Sequence, residues 1–235
     1  GLILCGGDGT LNRFINDTAG LKRPEALFYY ACGSGNDFLR DAEKDPSHGP
    51  FLLTPYLRSL PQVQVKGAAH FFINGIGYGI DGYCCEKGDE LRKKSTRPVN
   101  YTAIAIKGLL FHYRPTGARV TVDGNTLCFD HVWLAPVMLG RCYGGGMRPT
   151  PQQDRFAPEK TLSLMVYHCP GKLRALAAFP SIFKGEHVKY RNMVQILTGR
   201  HIRVEFDRPT PLQIDGETIL DVTEYEAFFP PAESL

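Results

Sequence analysis

The chain has 235 residues, of which 43% are hydrophobic and 22% charged, with a formal net charge of +3. That length suits one large domain or two small ones with a real core. The mild charge makes no case for nucleic acid, and no apolar run approaches the roughly 18 residues of a helical membrane span. Seven cysteines with no C-x-x-C pair fit neither a zinc site nor a disulfide framework, so most are expected to be buried, reduced thiols of a cytoplasmic protein.

In chain order, "GLILC" reads as a short buried strand. "LNRFINDTAGL" follows with Leu11, Phe14, Ile15 and Ala19 at helical spacing. Between them lies "GGDGT", a glycine turn joining a strand to a helix start. "ALFYYAC" is a second strand, meeting a second small-residue turn, "GSGND", and then a short helix at "FLRDA". Two such units predict an α/β layer with parallel strands. The proline-rich stretch 45–62 reads as a connector. Beyond it strand patterns dominate: "VQVKG", "AHFFINGIGYGI", "ARVTVDGNTLCFDHVWLAPVML", "LSLMVYHC", "HIRVEF" and "PLQIDGETI". Asp123-Gly124 marks a hairpin. Helices are expected near 100–112 and 172–183. The expected division is an α/β domain over 1–61, with a C-terminal return over 222–235, and an antiparallel β domain over 62–221.

The two glycine turns sit where open α/β sheets bind ligands, at the carboxyl ends of strands and the start of helices. There backbone N–H groups point outward, carry partial positive charge, and can meet a polyphosphate closely where glycine removes the side chain. Neither turn matches G-x-G-x-x-G or G-x-x-x-x-G-K-[ST], and no lysine is present to neutralise phosphate. An aspartate beside a polyphosphate repels it unless a cation intervenes. Asp8 is therefore expected to act through Mg²⁺, directly or through water.

"GGDGTLN", "GSGNDF" and "QIDGE", supported by "FFINGIGYGIDG", "YGGGMRPTP" and "FKGEHV", resemble the catalytic domain of the soluble diacylglycerol kinase family, which includes bacterial lipid kinases and sphingosine kinases. "GGDGT" alone is shared with NAD kinases and phosphofructokinases; the trio is specific, and the match runs over essentially the whole chain. The resemblance implies an NAD kinase/diacylglycerol kinase-like α/β nucleotide-binding domain followed by an antiparallel β-sandwich, with the active site between them. It implies ATP- and Mg²⁺-dependent phosphorylation of a lipid hydroxyl, with diacylglycerol the leading acceptor. By the same resemblance Gly6, Gly7, Asp8, Gly9, Thr10, Leu11, Asn12, Ser34, Gly35, Asn36 and Asp37 bind the nucleotide. Asp215 and Glu217 reach the cleft, one of them taking the acceptor proton. A simpler reading of Asp215-Gly216-Glu217 is a β-turn like the one at Asp123-Gly124.

This sequence departs from the family pattern in three places. The strand and Asn-Pro turn that precede "GGDGT" in the family are not in it, so the α/β domain is expected to be N-terminally incomplete, with reduced or no activity. Where bacterial members hold a structural Mg²⁺ on an Asp-Gly loop, "QQDRFAPEKTLSLMV" displaces Asp154 and carries no such Asp, so that site is not expected. Ser34 stands where threonine is commoner and keeps the hydroxyl. The basic run Arg92, Lys93, Lys94 and Arg97 reads either as a contact for anionic lipid headgroups or as a solvated loop. The expected setting is cytoplasmic and peripheral to a membrane, with a lipid substrate, no nucleic acid partner, and room for a homodimer. Two rival readings remain: a kinase of the same superfamily with a soluble acceptor such as NAD, and a non-catalytic nucleotide- or lipid-binding protein. His187 reads as structural, and Cys84-Cys85 as core neighbours.

Overall fold

The computed structural model describes residues 1–33, 35–94 and 99–231; Ser34 and Arg97 lie outside them. Strands β1 (Leu2–Gly6) and β2 (Leu27–Ala31) pair in parallel, Leu2 opposite Leu27 through Gly6 opposite Ala31, and β3 (Phe51–Leu52) pairs antiparallel with β2. Helix α1 (Asp8–Asp17) crosses between β1 and β2 and buries Leu11 and Ile15 completely. Helix α2 (Asp37–Asp41) is a single turn anchored by Phe38, whose ring meets Tyr29 and Tyr56 edge-on at 5.7 and 5.1 Å.

The remaining ten strands form one sheet that folds back on itself. They are β4 (Gln62–Val65), β5 (Ala68–Phe71), β6 (Gly75–Tyr78), β7 (Thr116–Val122), β8 (Asn125–Leu134), β9 (Val137–Met138), β10 (Leu162–His168), β11 (Val194–Gly199), β12 (His201–Ile214) and β13 (Glu217–Phe228). Their order is β5-β4-β13-β12-β6-β9-β10-β8-β7, with β11 added beside β10. The first half of β12 pairs with β7 and its second half with β6, so this one strand closes the two layers. Its register with β13 shifts between Glu205 and Leu212, where Pro209 and Pro211 remove two donors from the ladder.

Both Asp-Gly pairs make the same turn. Asp123-Gly124 has φ of 48° and 84°, and Asp215-Gly216 has 47° and 99°, the left-handed pair that a two-residue hairpin needs.

The helices expected near 100–112 and 172–183 are present as α4 (Tyr101–Lys107) continued by a π-helical turn at Gly108–His112, and α5 (Lys172–Ala178) continued by a 3-10 turn. A third and longer helix, α3 (Ile80–Lys94), occupies the end of the expected strand run "GIGYGI" and all that follows it. Gly82 and Gly88 dilute its helical pattern, and both are there for packing. A side chain at Gly82 would lie 1.9 Å from the Pro211 carbonyl oxygen, and one at Gly88 would enter the Tyr101 ring. Arg92, Lys93 and Lys94 therefore end a helix rather than line a loop.

Two further expectations are corrected. Residues 222–228 do not return to the α/β part; they continue β13, paired with β12 and β4, because Val222, Tyr225 and Ala227 bury one face of the sandwich. Cysteines 5, 32 and 128 are exposed, and only Cys84, Cys142 and Cys169 are fully buried; Cys85 is half-buried.

One apolar cluster runs unbroken from Leu11 and Phe38 through Ile76 to Tyr225, so the two parts of the chain share a core. A second, holding Ile80, Leu109, Trp133 and Tyr167, lies beneath α3, α4 and α5. The two parts are also tied by a buried ion cluster. Asp41 accepts from the Arg141 backbone N–H at 2.7 Å, from the Arg141 guanidinium at 3.1 Å, and from Arg155. The Arg155 guanidinium lies over the Phe38 ring at 5.0 Å and donates to the Ile73 carbonyl at 3.2 Å. Burial by itself raises the Asp41 carboxyl, but the two arginines outweigh it and hold the group below its ordinary range. Arg155→Met keeps the apolar stem and leaves Asp41 with one cation. It is expected to lower the unfolding free energy by about 2–4 kcal/mol, measured by urea denaturation.

Candidate active site

Gly7 and Gly33 are where the two glycine turns cross. A Cβ on Gly33 would sit 2.6 Å from the Gly7 Cα, and one on Gly7 3.0 Å from the Gly33 Cα. Backbone packs on backbone there, so these glycines are needed for the approach of one turn to the other as well as for any ligand. The first intrahelical bond of α1 runs from the Leu11 N–H to the Gly7 carbonyl at 3.0 Å. The N–H groups of residues 8–10 precede it and have no partner within the helix.

Asp8 bridges the two turns. Its Oδ2 accepts the Asp37 N–H and its Oδ1 the Phe38 N–H, both at 3.0 Å, which satisfies the start of α2; the Asn74 amide reaches Oδ1 at 3.4 Å. Asn36 precedes α2 in the left-handed conformation with φ 50°, which turns the chain so that these two N–H groups face Asp8. Gly35 lies over Asp8, with room for a Cβ only at 3.3 Å from Oδ2, and its carbonyl accepts from Arg40.

Asp37 is nearly buried. One of its oxygens accepts the Gly145 N–H at 2.7 Å and the other pairs with Arg40 at 3.1 Å. Burial pushes its carboxyl up to about 6, with the Asp8 charge adding to the rise and the Gly145 N–H and Arg40 opposing it. Near this pair, buried side-chain oxygens of Asn36 and Asn74 have no hydrogen-bond partner among the described residues. Asp8 and Asp37 supply hard carboxylate oxygens beside the start of α1, and one or two carboxylates plus phosphate oxygens is how Mg²⁺ is usually held, so the chemistry of these residues fits that ion.

Asp215 and Glu217 occupy different environments. Asp215 is buried and each of its oxygens accepts two N–H bonds. The backbone of Asn74 and Gly75 donates to Oδ1, both at 2.9 Å, and Ile73 N–H and the Asn12 amide donate to Oδ2 at 2.7 and 2.8 Å. Burial raises the Asp215 carboxyl, and these four donors oppose the rise. All four partners are N–H donors, so the carboxylate acts as a latch on the turn that carries it. Asp123 at the other Asp-Gly turn does similar work, accepting the N–H groups of Arg200 and His201 at 3.0 and 2.8 Å.

Glu217, two residues on, is exposed. Its Oε1 lies 3.7 Å from where a side chain on Gly9 would begin and 3.9 Å from the Arg13 guanidinium. It therefore faces the first turn of α1 across a gap kept open by glycine.

Two of the expected nucleotide contacts do not face this gap. The Leu11 side chain is fully buried, with its N–H spent on Gly7. Asn12 is buried, giving its amide to Asp215 and, at 3.2 Å, to the Phe71 carbonyl. Apolar spacing put Leu11 in the core from the outset; Asn12 gave no such warning. Of the others, Gly9 faces Glu217, Gly6 adjoins Thr10, Gly7 meets Gly33, and Asp8 lies against Gly35 and Asp37.

Arg13, Arg40, Asn74 and Gly145 were not anticipated; Asn74 and Gly145 lie in motifs of the family resemblance, and Arg13 and Arg40 in stretches read as helices. His187 is fully buried with Nε2 2.8 Å from the Pro149 carbonyl, which fits a structural role. In the segment where the family resemblance placed a metal loop, Asp154 accepts the Phe156 N–H at 2.9 Å. Gln153 there pairs with the Ser163 hydroxyl at 2.6 Å and the Thr161 carbonyl at 2.9 Å.

The comparisons with known proteins agree with this architecture. Residues 1–54 match the diacylglycerol kinase catalytic domain, and residues 74–233 match the YegS C-terminal NAD kinase beta sandwich-like domain. The chain thus belongs to the diacylglycerol kinase-like lipid kinase family. The Bacillus subtilis protein YtlR is 26% identical over 251 residues, covering 98% of this chain and 78% of its own length. A diacylglycerol kinase of Mycobacterium tuberculosis is 25% identical over 195 residues, covering 80% of this chain and 61% of that protein. A solved diacylglycerol kinase of Bacillus anthracis shares the fold, with a TM-score of 0.60 at 18% identity over 98% of this chain and 73% of that one.

The latch and the exposed carboxylate have opposite signatures in stability. Asp215→Ala strands four buried donors and is expected to cost about 3 kcal/mol or more in urea denaturation. Glu217→Gln changes an exposed group and is expected to stay within about 0.5 kcal/mol of the parent.

Proposed function

We propose that the chain transfers the γ-phosphate of ATP to a lipid hydroxyl, with diacylglycerol the leading acceptor, and that Glu217 takes the acceptor proton. The observation that carries this reading is exposed Glu217 facing, across Gly9, the first N–H groups of α1, which have no partner within the helix, with Asp8 and Asp37 behind them.

The N–H groups at residues 8–10 are suited to phosphate oxygens by geometry and partial charge. Asp8 and Asp37 are the residues that would hold Mg²⁺, which when bound neutralises phosphate charge. Phosphoryl transfer passes through a loose transition state in which position and charge matter more than base strength. An exposed glutamate is a weak base for an alcohol, but it suffices to orient the hydroxyl and accept its proton late. Asp215 contributes by holding the turn that carries Glu217, and Arg13 by lying beside the carboxylate. A cytoplasmic site of action, peripheral to a membrane, follows from a water-soluble donor and a lipid acceptor.

The test is transfer of labelled γ-phosphate to a detergent-dispersed lipid extract, by the parent, Glu217→Gln and Asp8→Ala. Glu217→Gln is expected to lower turnover by about 10²–10⁴-fold while leaving nucleotide binding intact. Labelling of NAD or another soluble acceptor, with none of lipid, would replace the lipid-acceptor reading.

The Asp37 carboxyl supplies a second test. Its value near 6 means that it takes up a proton as the pH falls through that point and ceases to be an anionic ligand. Mg²⁺-dependent nucleotide binding, followed by calorimetry, is expected to be full above about pH 7 and to weaken toward about pH 5. Asp37→Asn should bind weakly throughout and lack that step.

A further inference from the structure

The two most exposed apolar side chains of the second domain stand together. Phe111, in the π-helical turn, is 73% exposed and Leu173, at the start of α5, is 76% exposed. The two elements are joined where the Lys172 ammonium donates to the Leu110 carbonyl at 3.3 Å. Ile106, on the same helical run as Phe111, is also exposed. Beneath them Leu109, Ala175 and Ala178 are buried in the second core, so this face is a rigid platform with apolar tips pointing away from it.

The two segments that carry these tips are basic. Segments 99–114 and 170–185 together carry five Lys or Arg residues and no Asp or Glu. At the chain-wide frequency of acids, 24 in 235, about three would fall there. Arg92 lies 5.7 Å over the Tyr101 ring, so the basic end of α3 abuts the start of α4 and extends the same surface. A second copy of this chain would set these cations against themselves, whereas a layer of anionic headgroups over hydrocarbon complements both the charge and the apolar tips.

The surface is also connected to the candidate site. Asp89, on α3 one turn before the basic end, accepts the Thr218 hydroxyl at 2.9 Å, next to Glu217. One helix therefore spans from the proposed acceptor carboxylate to the edge of the platform.

We propose that the face formed by the π-helical turn and the start of α5 docks onto an anionic lipid bilayer. Phe111 and Leu173 enter the interface, and Lys107, Lys172 and Arg174 lie at the headgroups. The proposal deepens the lipid-acceptor reading and rests on it for its purpose, while its test needs no catalysis.

The full chain is sedimented with vesicles of phosphatidylcholine alone, and with vesicles in which part of it is replaced by phosphatidylglycerol. The parent should bind the mixed vesicles and release in high salt. Phe111→Ser/Leu173→Ser should lower the partition coefficient by about tenfold or more. Lys107→Glu/Lys172→Glu should abolish the preference for phosphatidylglycerol. Leu127→Ser/Leu220→Ser, which removes exposed apolar groups elsewhere on the sandwich, should bind like the parent, and thermal melts should show all variants folded.

Equal binding by the Phe111/Leu173 variant would overturn the proposal. So would no vesicle binding by the parent, or a dimer in sedimentation velocity that only this variant dissociates. Failure here with detergent-dispersed lipid still phosphorylated would leave the kinase reading standing. Vesicle binding without phosphorylation would do the reverse.

Discussion

The Asp215 carboxylate holds this molecule together at the point where function is proposed. Its four donors come from α1, through Asn12, and from the entry to β6, through the successive backbone N–H groups of Ile73, Asn74 and Gly75. One side chain thus fixes the β12–β13 turn against both parts of the chain. Unpaired, each buried N–H would cost on the order of 1–3 kcal/mol, so the arrangement is held as a set. The same latch delivers Glu217 to the rim of the gap, because a two-residue hairpin leaves no freedom in where its next residue emerges.

Around this latch the contacts between the two parts are mainly acids and amides of one part meeting backbone or arginine of the other. Asn16 exchanges two bonds with the Phe71 backbone, at 2.8 and 3.0 Å, as a neighbouring strand would. Asp37 takes the Gly145 N–H, and Asp41 takes Arg141 and Arg155. Such bonds are directional, so they set an orientation that the shared apolar core by itself would leave loose. Asp8 has two demands placed on it: it satisfies the first N–H groups of α2, and it sits beside Asp37 where two like charges are costly. Keeping two carboxylates adjacent and partly desolvated costs stability, which the divalent cation of the proposed reading would offset.

Helix α3 links the site to the surface. It starts in the core beside Gly77, where absence of a side chain admits the Asp81 carboxylate, passes Thr218 at Asp89, and ends in its basic run. One helix thereby touches both the turn that carries Glu217 and the start of α4, beside the face proposed to meet lipid.

The sequence by itself determined a good deal. Apolar spacing placed Leu11 and Ile15 in the core, Asp123-Gly124 marked a hairpin, and the glycine turns were set at helix starts. Those features are local: they depend on φ angles and on periods of two or 3.6 residues. Tertiary structure decided what periodicity cannot carry. Helix α3 was hidden because its glycines answer to Pro211 and Tyr101, which are distant in the chain. The fates of Asp215 and Glu217, one residue apart from a shared glycine and chemically alike, were undecidable from type or spacing. Only the meeting of α1, the entry to β6 and the β12–β13 turn buries one among four donors and leaves the other facing an open gap.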